Sequence, residues 1–252
     1  MTELELLIDF HKEAKRQGPG SPADTLRALD LIDISNKKDL KVADIGCGSG
    51  AQTITLAENI AGQITAVDIF PEFLSKLLLR AEEKGLKDKI TTLEKSMDDL
   101  DFARNEFDII WSEGAIYIMG FEAGIKDWKK FLKPGGYLAV SEITWLSDSR
   151  PAEIEDHWHK EYPEIATVSA KLKILERNGY SPVGYFVLPE SSWLDNYYSP
   201  IESRIDDFLN KQNNSEMAKK FVESTEEEIR LYKKYKDYLS YGFYIAKKLN
   251  EK

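Results

Sequence analysis

The sequence predicts an α/β chain organised as a doubly wound parallel sheet, and three observations predict it. The segment Lys41-Val-Ala-Asp-Ile-Gly-Cys-Gly-Ser-Gly50 passes from a short apolar strand (residues 42–45) directly into a turn holding Gly46, Gly48 and Gly50, and a helical pattern follows over residues 51–60. From there to residue 145, short apolar runs alternate with helical patterns, as parallel strands covered on both faces require. The length, 252 residues with 42% hydrophobic content, suits one large α/β domain with insertions.

The elements follow in order. Residues 2–17 read as an amphipathic helix with Leu4, Leu7, Ile8 and His11 on one face. Gln17-Gly-Pro-Gly-Ser21 interrupts it; Ser21 as N-cap, Pro22 at the first helical position and Asp24 in the first turn start a helix running to Ile32. After the glycine turn and its helix come a strand (64–68), a helix opened by Pro71 and closed before Gly85, and strands at 89–93 and 107–111. Residues 121–131 read as a helix, Lys133-Pro-Gly-Gly136 as a tight turn and 137–141 as the fifth strand. Ile165, Val168, Leu172 and Leu175 mark a helix ended by Gly179, and residues 182–188 read as the sixth strand. Residues 190–240 form an insertion of charged helices, with Ser224 and Glu227 as a capping box for the last, and residues 241–246 form a closing strand. No internal repeat or low-complexity segment is present.

The glycine turn has a chemical reading. Three glycines in five residues cost backbone entropy, so the turn needs left-handed conformations or a ligand lying close to the main chain. Main-chain N–H groups at the following helix start face whatever occupies the turn, at the place where doubly wound sheets bind nucleotides. Gly46, Gly48 and Ala51 also fit the dinucleotide pattern G-x-G-x-x-(G/A). Asp44, two residues before the first glycine, argues the other way: a carboxylate at the lip of the turn repels a diphosphate and attracts an amino group. Asp68, at the end of the next strand, suits a ribose diol in either case.

The run Val42-Ala-Asp-Ile-Gly-Cys-Gly-Ser-Gly50 resembles the first motif of class I S-adenosylmethionine (SAM)-dependent methyltransferases. Lys95-Ser-Met-Asp-Asp-Leu-Asp-Phe102 is similar to the family's adenine-side loop, Phe107-Asp-Ile-Ile-Trp-Ser-Glu-Gly114 to its fourth-strand motif, and Leu132-Lys-Pro-Gly-Gly-Tyr-Leu-Ala-Val140 to its turn into the fifth strand. The resemblance covers roughly residues 40–145 and looks closest to the small-molecule group that includes quinone-biosynthesis enzymes. It implies a Rossmann-like seven-stranded sheet of order 3-2-1-4-5-7-6 with the last strand antiparallel, N-terminal helices, and helical insertions after strands 5 and 6. It divides a single domain (1–252) into an N-terminal helical lid (1–35), a SAM-binding core (36–145) and a substrate-selecting half (146–252). The implied cofactor residues are Asp44 for the ammonium, Gly46, Cys47, Gly48 and Gly50 as main-chain cradle, and Asp68 for the ribose. Ile69 and Phe70 would flank the adenine, and Ser96, Met97 and Asp98 would meet its edge. Many relatives carry an acid where Ser96 stands, so the adenine amino contact can shift to Asp98 or main chain.

Methyl transfer from a sulfonium is an in-line displacement from an activated donor, so holding the reactants in line is the main task and a general base is needed only for a protonated nucleophile. The candidates for a catalytic role are Glu113 past the fourth strand, which could also contact the cofactor, Tyr117, and His157. Glu142, past the fifth strand, is a further candidate. His157 and His159 with Glu155 and Asp156 could suggest a metal, but histidines at i and i+2 point to different sides of a helix, and no metal is expected. Trp145, Trp158, Trp193, Tyr197 and Tyr198 could wall a substrate pocket, form a homodimer contact or simply fill the core.

Composition excludes other classes. Net charge is −10, from 44 acidic against 34 basic residues, and the paired lysines are dispersed, so a nucleic-acid partner is not expected. The longest apolar runs are too short to span a membrane, no signal peptide is visible, and the single cysteine leaves no internal disulfide; a cytoplasmic setting is expected. The function predicted is SAM-dependent methyl transfer to an N, O or C nucleophile of a small molecule. The alternatives are a protein methyltransferase, less readily an RNA one, an NAD-dependent oxidoreductase, or a cofactor-binding protein without activity.

Overall fold

The computed structural model describes residues 2–34 and 37–250; the expected boundary between N-terminal segment and core, at residues 35 and 36, lies outside them. Helices α1 (Glu3–His11) and α2 (Pro22–Asp30) precede β1 (Leu40–Ile45), α3 (Ala51–Asn59), β2 (Gly62–Asp68), α4 (Pro71–Glu83), β3 (Ile90–Glu94) and β4 (Phe107–Glu113). Then come α5 (Phe121–Trp128), β5 (Leu132–Trp145), α6 (Ala152–Glu161), β6 (Ala166–Thr167), α7 (Val168–Arg177) and β7 (Tyr180–Val187). The insertion holds α8 (Glu190–Trp193), a π-helical turn at Leu194–Tyr198, α9 (Ser199–Glu202), α10 (Ile205–Lys211) and α11 (Glu216–Tyr235), and β8 (Leu239–Lys248) closes the chain.

The sheet has the order β3-β2-β1-β4-β5-β8-β7, with β6 paired to the end of β5. Strand β8 runs antiparallel to both β5 and β7. With the two-residue β6 set aside, this is the predicted order, the expected sixth and seventh strands being β7 and β8. Successive residues point to opposite faces of the pleat, and the core obeys this. Val42, Ile109, Trp111, Phe243 and Ile245 pack under α2, α3 and α4, while Ala43, Ile110, Tyr244 and Ala246 pack under α5 and α7. A third cluster gathers α1, α6 and the insertion around Ile143 and Trp145 at the end of β5.

Three local expectations are corrected. The first helix stops at His11 rather than residue 17, and it buries Leu6 and Phe10, not the Leu4/Leu7 face; Phe10 packs edge-on to Phe208 and Phe221 of the insertion. Strand β5 continues to Trp145, because β6 and β8 both pair with its far end. Ser224 and Glu227 cap nothing: α11 is one continuous helix whose N-cap is Ser215, its hydroxyl accepting from the Ala218 N–H. An S-x-x-E spacing inside a helix with an uninterrupted buried face is only a pair of neighbours. The Ser21 cap with Pro22 in the first turn stands as predicted.

Candidate functional site

Strand β1 delivers the chain into the glycine turn at the carboxyl edge of the sheet. Gly46, Gly48 and Gly50 all take left-handed φ values, +73°, +53° and +80°, where a Cβ is strained. All three also face close neighbours: a Cβ on Gly46 would lie 2.4 Å from the Ala115 Cβ, one on Gly48 2.5 Å from Gln17 Oε1, and one on Gly50 2.2 Å from Leu77 Cδ1. Every N–H of the turn is committed within the protein. Those of Gly46 and Cys47 donate to the Val67 carbonyl at 2.9 Å, and that of Gly50 to the Cys47 carbonyl. The Gly48 N–H donates to Asp68 Oδ2 at 2.8 Å and the Ser49 N–H to Gln17 Oε1 at 2.8 Å.

Asp68 ends β2 beside this turn. Its second oxygen accepts from the Phe70 N–H at 3.0 Å, so its carboxylate is fixed in direction by two backbone donors. Burial pushes its pKa up, and those hydrogen bonds act against the shift. A cavity of about 600 Å³ opens over the turn; Gly46, Cys47, Gly48, Asp68, Ile69 and Phe70 line it, as do Ser96, Met97, Glu113 and Tyr117. Such a volume suits a nucleoside-sized ligand together with a second small molecule.

The N-terminal segment closes over the turn. The Arg80 guanidinium, from α4, donates to the carbonyls of Ala14 and Lys15 and to Ser49. Gln17 Oε1 also accepts from the buried Ser49 hydroxyl at 2.9 Å. Arg16 is thereby carried into the cavity, where it ion-pairs with Glu113. Glu113 further accepts from Thr25 Oγ1 at 2.7 Å and from Trp111 Nε1 at 2.9 Å. Arg16 Nε and Nη1 are buried without a partner in the protein. Two unanswered donors on a cation beside the glycine turn fit the carboxylate of an amino-acid-bearing cofactor.

The far end of the cavity is made by helices. Tyr197, Tyr198 and Ile201 come from the insertion, and Phe221, Ser224, Thr225 and Glu228 form one stripe of α11. The exposed face of α1, Leu4, Leu7 and His11, completes the wall. Burial, aided by the Arg204 charge, pushes His11 down to about 4, so it is neutral. Glu228 accepts from the Tyr198 hydroxyl at 2.8 Å, and burial pushes its pKa up.

Several expected site residues lie elsewhere. Asp44 is not at the lip of the turn. It is fully buried beneath it, accepting from Thr53 Oγ1 at 2.6 Å and Gln52 Nε2 at 3.3 Å; Gln52, not Asp44, lines the cavity. Gly50 shapes the turn from behind, against Leu77. Asp98 does not line the cavity and accepts from the Ser96 hydroxyl. His157 stays on α6, edge-on to Trp158, because that helix turns Ile154 inward. Glu142 is buried in an ion pair with Lys171 at 2.9 Å, away from the cavity. Trp145 and Trp193 are core, while Tyr197 and Tyr198 do reach the cavity. Among the described residues no group of three or more His, Cys, Asp or Glu side chains could hold a metal ion, and no helix is long and apolar enough to cross a membrane.

Sequence reasoning missed Arg16, Gln17, Gln52 and Glu228. Only Glu228 left a trace: residues 221, 224, 225 and 228 fall at helical spacing, and three of the four are polar beside a buried face.

Comparison with known proteins bears on the same region. Residues 42–136 match a family model described as a methyltransferase domain. A sterol 24-C-methyltransferase of Gibberella zeae is 28% identical over 114 residues, 45% of this chain and 30% of that protein. A phosphoethanolamine N-methyltransferase of Arabidopsis thaliana is 26% identical over 160 residues, 63% of this chain and 32% of that protein. The chain thus spans about a third of the length of those two relatives. The crystal structure of a SAM-dependent methyltransferase from Geobacter sulfurreducens in complex with S-adenosyl-L-homocysteine superimposes with a TM-score of 0.83 at 20% identity, over 96% of this chain and 97% of that one.

Proposed function

We propose that this chain, a class I SAM-dependent methyltransferase by its fold and by its matched domain, transfers a methyl group from SAM to a small-molecule nucleophile in a cytoplasmic setting. The observation that carries the reading is the commitment of all five N–H groups of residues 46–50 to protein acceptors. A diphosphate would find no free main-chain N–H donors in the turn. That counts against the nicotinamide alternative. A cationic nucleoside suits the same surroundings.

In this reading Asp68 takes the ribose hydroxyls on the lone pairs its two backbone donors leave open. Ile69 and Phe70 flank the base, and Ser96 and Met97 meet its edge. Arg16 binds the amino-acid carboxylate through Nε and Nη1, while Glu113 holds the guanidinium in place. Gln52 stands between the ammonium and Asp44, so Asp44 acts through a neighbour. The bound cofactor supplies an electrophilic methyl on a positively charged sulfur. The protein's share is to position the acceptor and exclude water.

Titration calorimetry with S-adenosylhomocysteine tests the assignment. Asp68→Ala removes charge-assisted hydrogen bonds worth about 1.5–3 kcal/mol, so the affinity should fall roughly tenfold or more. Stabilisation by NAD and not by S-adenosylhomocysteine would end the reading. Unchanged affinity in the variant would move the ribose elsewhere. A screen of metabolite extracts with methyl-labelled SAM then identifies the acceptor.

A further inference from the structure

The acceptor end of the cavity has a distinctive charge pattern. Arg16 answers Glu113, Lys95 is paired with Asp101 at 2.7 Å, and Asp68 is held by main chain. His11 is neutral. Among the described residues lining this cavity, Glu228 is the carboxylate at the acceptor end with no cation against it. Its protein partner is the Tyr198 hydroxyl. The charges that face it sharpen the point. Glu161, on α6, repels it. The Arg204 guanidinium lies over the Phe10 ring at 5.2 Å, its charge acts on His11 and Tyr197, and it makes no ion pair with Glu228. Tyr117 and Tyr197 both lie within electrostatic reach of Glu228 and of the cavity. A carboxylate drawn into an aromatic wall without a counter-ion is costly for the free protein. Tyrosine rings and a carboxylate together are the chemistry that binds an ammonium group.

We propose that the acceptor is an amine, bound as its ammonium between Glu228 and the rings of Tyr117 and Tyr197. The proposal rests on the methyltransferase reading above and narrows its acceptor from N, O or C to nitrogen. Glu228 takes one N–H proton from the ammonium, which frees the nitrogen lone pair. That pair forms the bond to the methyl carbon as the carbon–sulfur bond breaks, and the sulfur keeps the bonding electrons. The products are the methylated ammonium, a neutral thioether and a protonated Glu228 that releases its proton to water. Burial, which raises the carboxyl's proton affinity, brings it closer to that of an amine.

The test uses the full chain, with S-adenosylhomocysteine bound, and two matched sets of probes: benzylamine and phenethylamine against benzyl alcohol and phenethyl alcohol. Thermal shift and calorimetry should show the amines binding at least tenfold more tightly than the alcohols. Glu228→Gln, which keeps an oxygen for Tyr198, should remove that preference while leaving the affinity for S-adenosylhomocysteine unchanged. If S-adenosylhomocysteine does not bind the wild-type chain, the cofactor reading fails first. If it binds and the amines show no preference, or if Glu228→Gln keeps the preference, the amine proposal is overturned.

Discussion

The two ends of the cavity are built in different ways. The end near the glycine turn is made by main chain at strand termini: Gly46 to Gly50, the Asp68 carboxylate locked by two N–H groups, and the tip of β4. The far end is made by side chains on helices brought from opposite ends of the chain, α1 and the insertion. A backbone cradle depends on φ values and close approaches that few residue types permit, so its chemistry is constrained. A helical wall can exchange one side chain for another at little cost to the fold. The first end therefore suits a fixed ligand and the second a variable one. The carboxylates make the same contrast: the fully buried Asp44 is satisfied by Thr53 and Gln52, whereas the partly buried Glu228 has one tyrosine and no cation.

The largest expected effect breaks the cradle alone. Gly46→Ala places a Cβ 2.4 Å from the Ala115 Cβ at a φ of +73°. Strain of about 1–3 kcal/mol and overpacking of about 1–3 kcal/mol should weaken S-adenosylhomocysteine at least ~30-fold by calorimetry. Gly85→Ala is the control, with a φ of +68° but open space around its Cβ: it should lower Tm and leave the affinity alone. Equal losses in both variants would mean that Gly46 matters only for folding.

The next effect concerns the carboxylate under the cradle. Burial pushes Asp44 up to about 7 from 3.8, against its bonds to Thr53 and Gln52. The folded state then holds the proton more tightly than the unfolded one. The stability this group contributes is complete below about pH 4 and is lost as pH rises to about 7, with a ceiling of ~4 kcal/mol. Asp44→Asn keeps an oxygen for Thr53 and removes the charge. It should unfold at a higher Tm than the wild type at pH 8 and lose that advantage near pH 4.5 in thermal melts. Parallel Tm curves over this range would show that Asp44 is not the group titrating.

The same contrast explains what could be read from the sequence. The glycine turn and the Ser21–Pro22 helix start are legible because each rests on a backbone requirement that leaves a residue-type mark, whereas the strand order comes from the family resemblance. The wall was not. Arg16 and Gln17 stand in a loop whose neighbouring carbonyls, Lys15 and Ala14, are held by Arg80 of α4, contacts 65 and 66 residues apart with no local pattern to announce them. The face assigned to α1 was rotated: Leu4 and Leu7 belong to the cavity and Leu6 with Phe10 to the core, and both pairs are apolar. His157 attracted interest as a titratable residue among aromatics, yet the histidine in the cavity is His11. Closeness in sequence to the first glycine suggests that Asp44 stands at the lip; helix α3 supplies partners that hold it beneath.

The smallest expected effect tests whether the two ends communicate. Gln17 bonds the Ser49 N–H and hydroxyl in the turn through Oε1, and its amide donates to the His11 carbonyl at the end of α1 at 3.1 Å. It thus joins the cradle to the helix whose exposed face forms the far wall. Gln17→Ala leaves the Ser49 N–H without its acceptor and loosens residues 12–17. The net loss is about 1 kcal/mol, or roughly fivefold in S-adenosylhomocysteine affinity. Limited proteolysis should cut the variant faster within residues 12–20, and cofactor addition should restore part of the protection if the segment closes on the ligand. A drop in Tm with unchanged affinity and unchanged cleavage would instead make Gln17 a packing residue, and the two ends would be independent despite sharing one cavity.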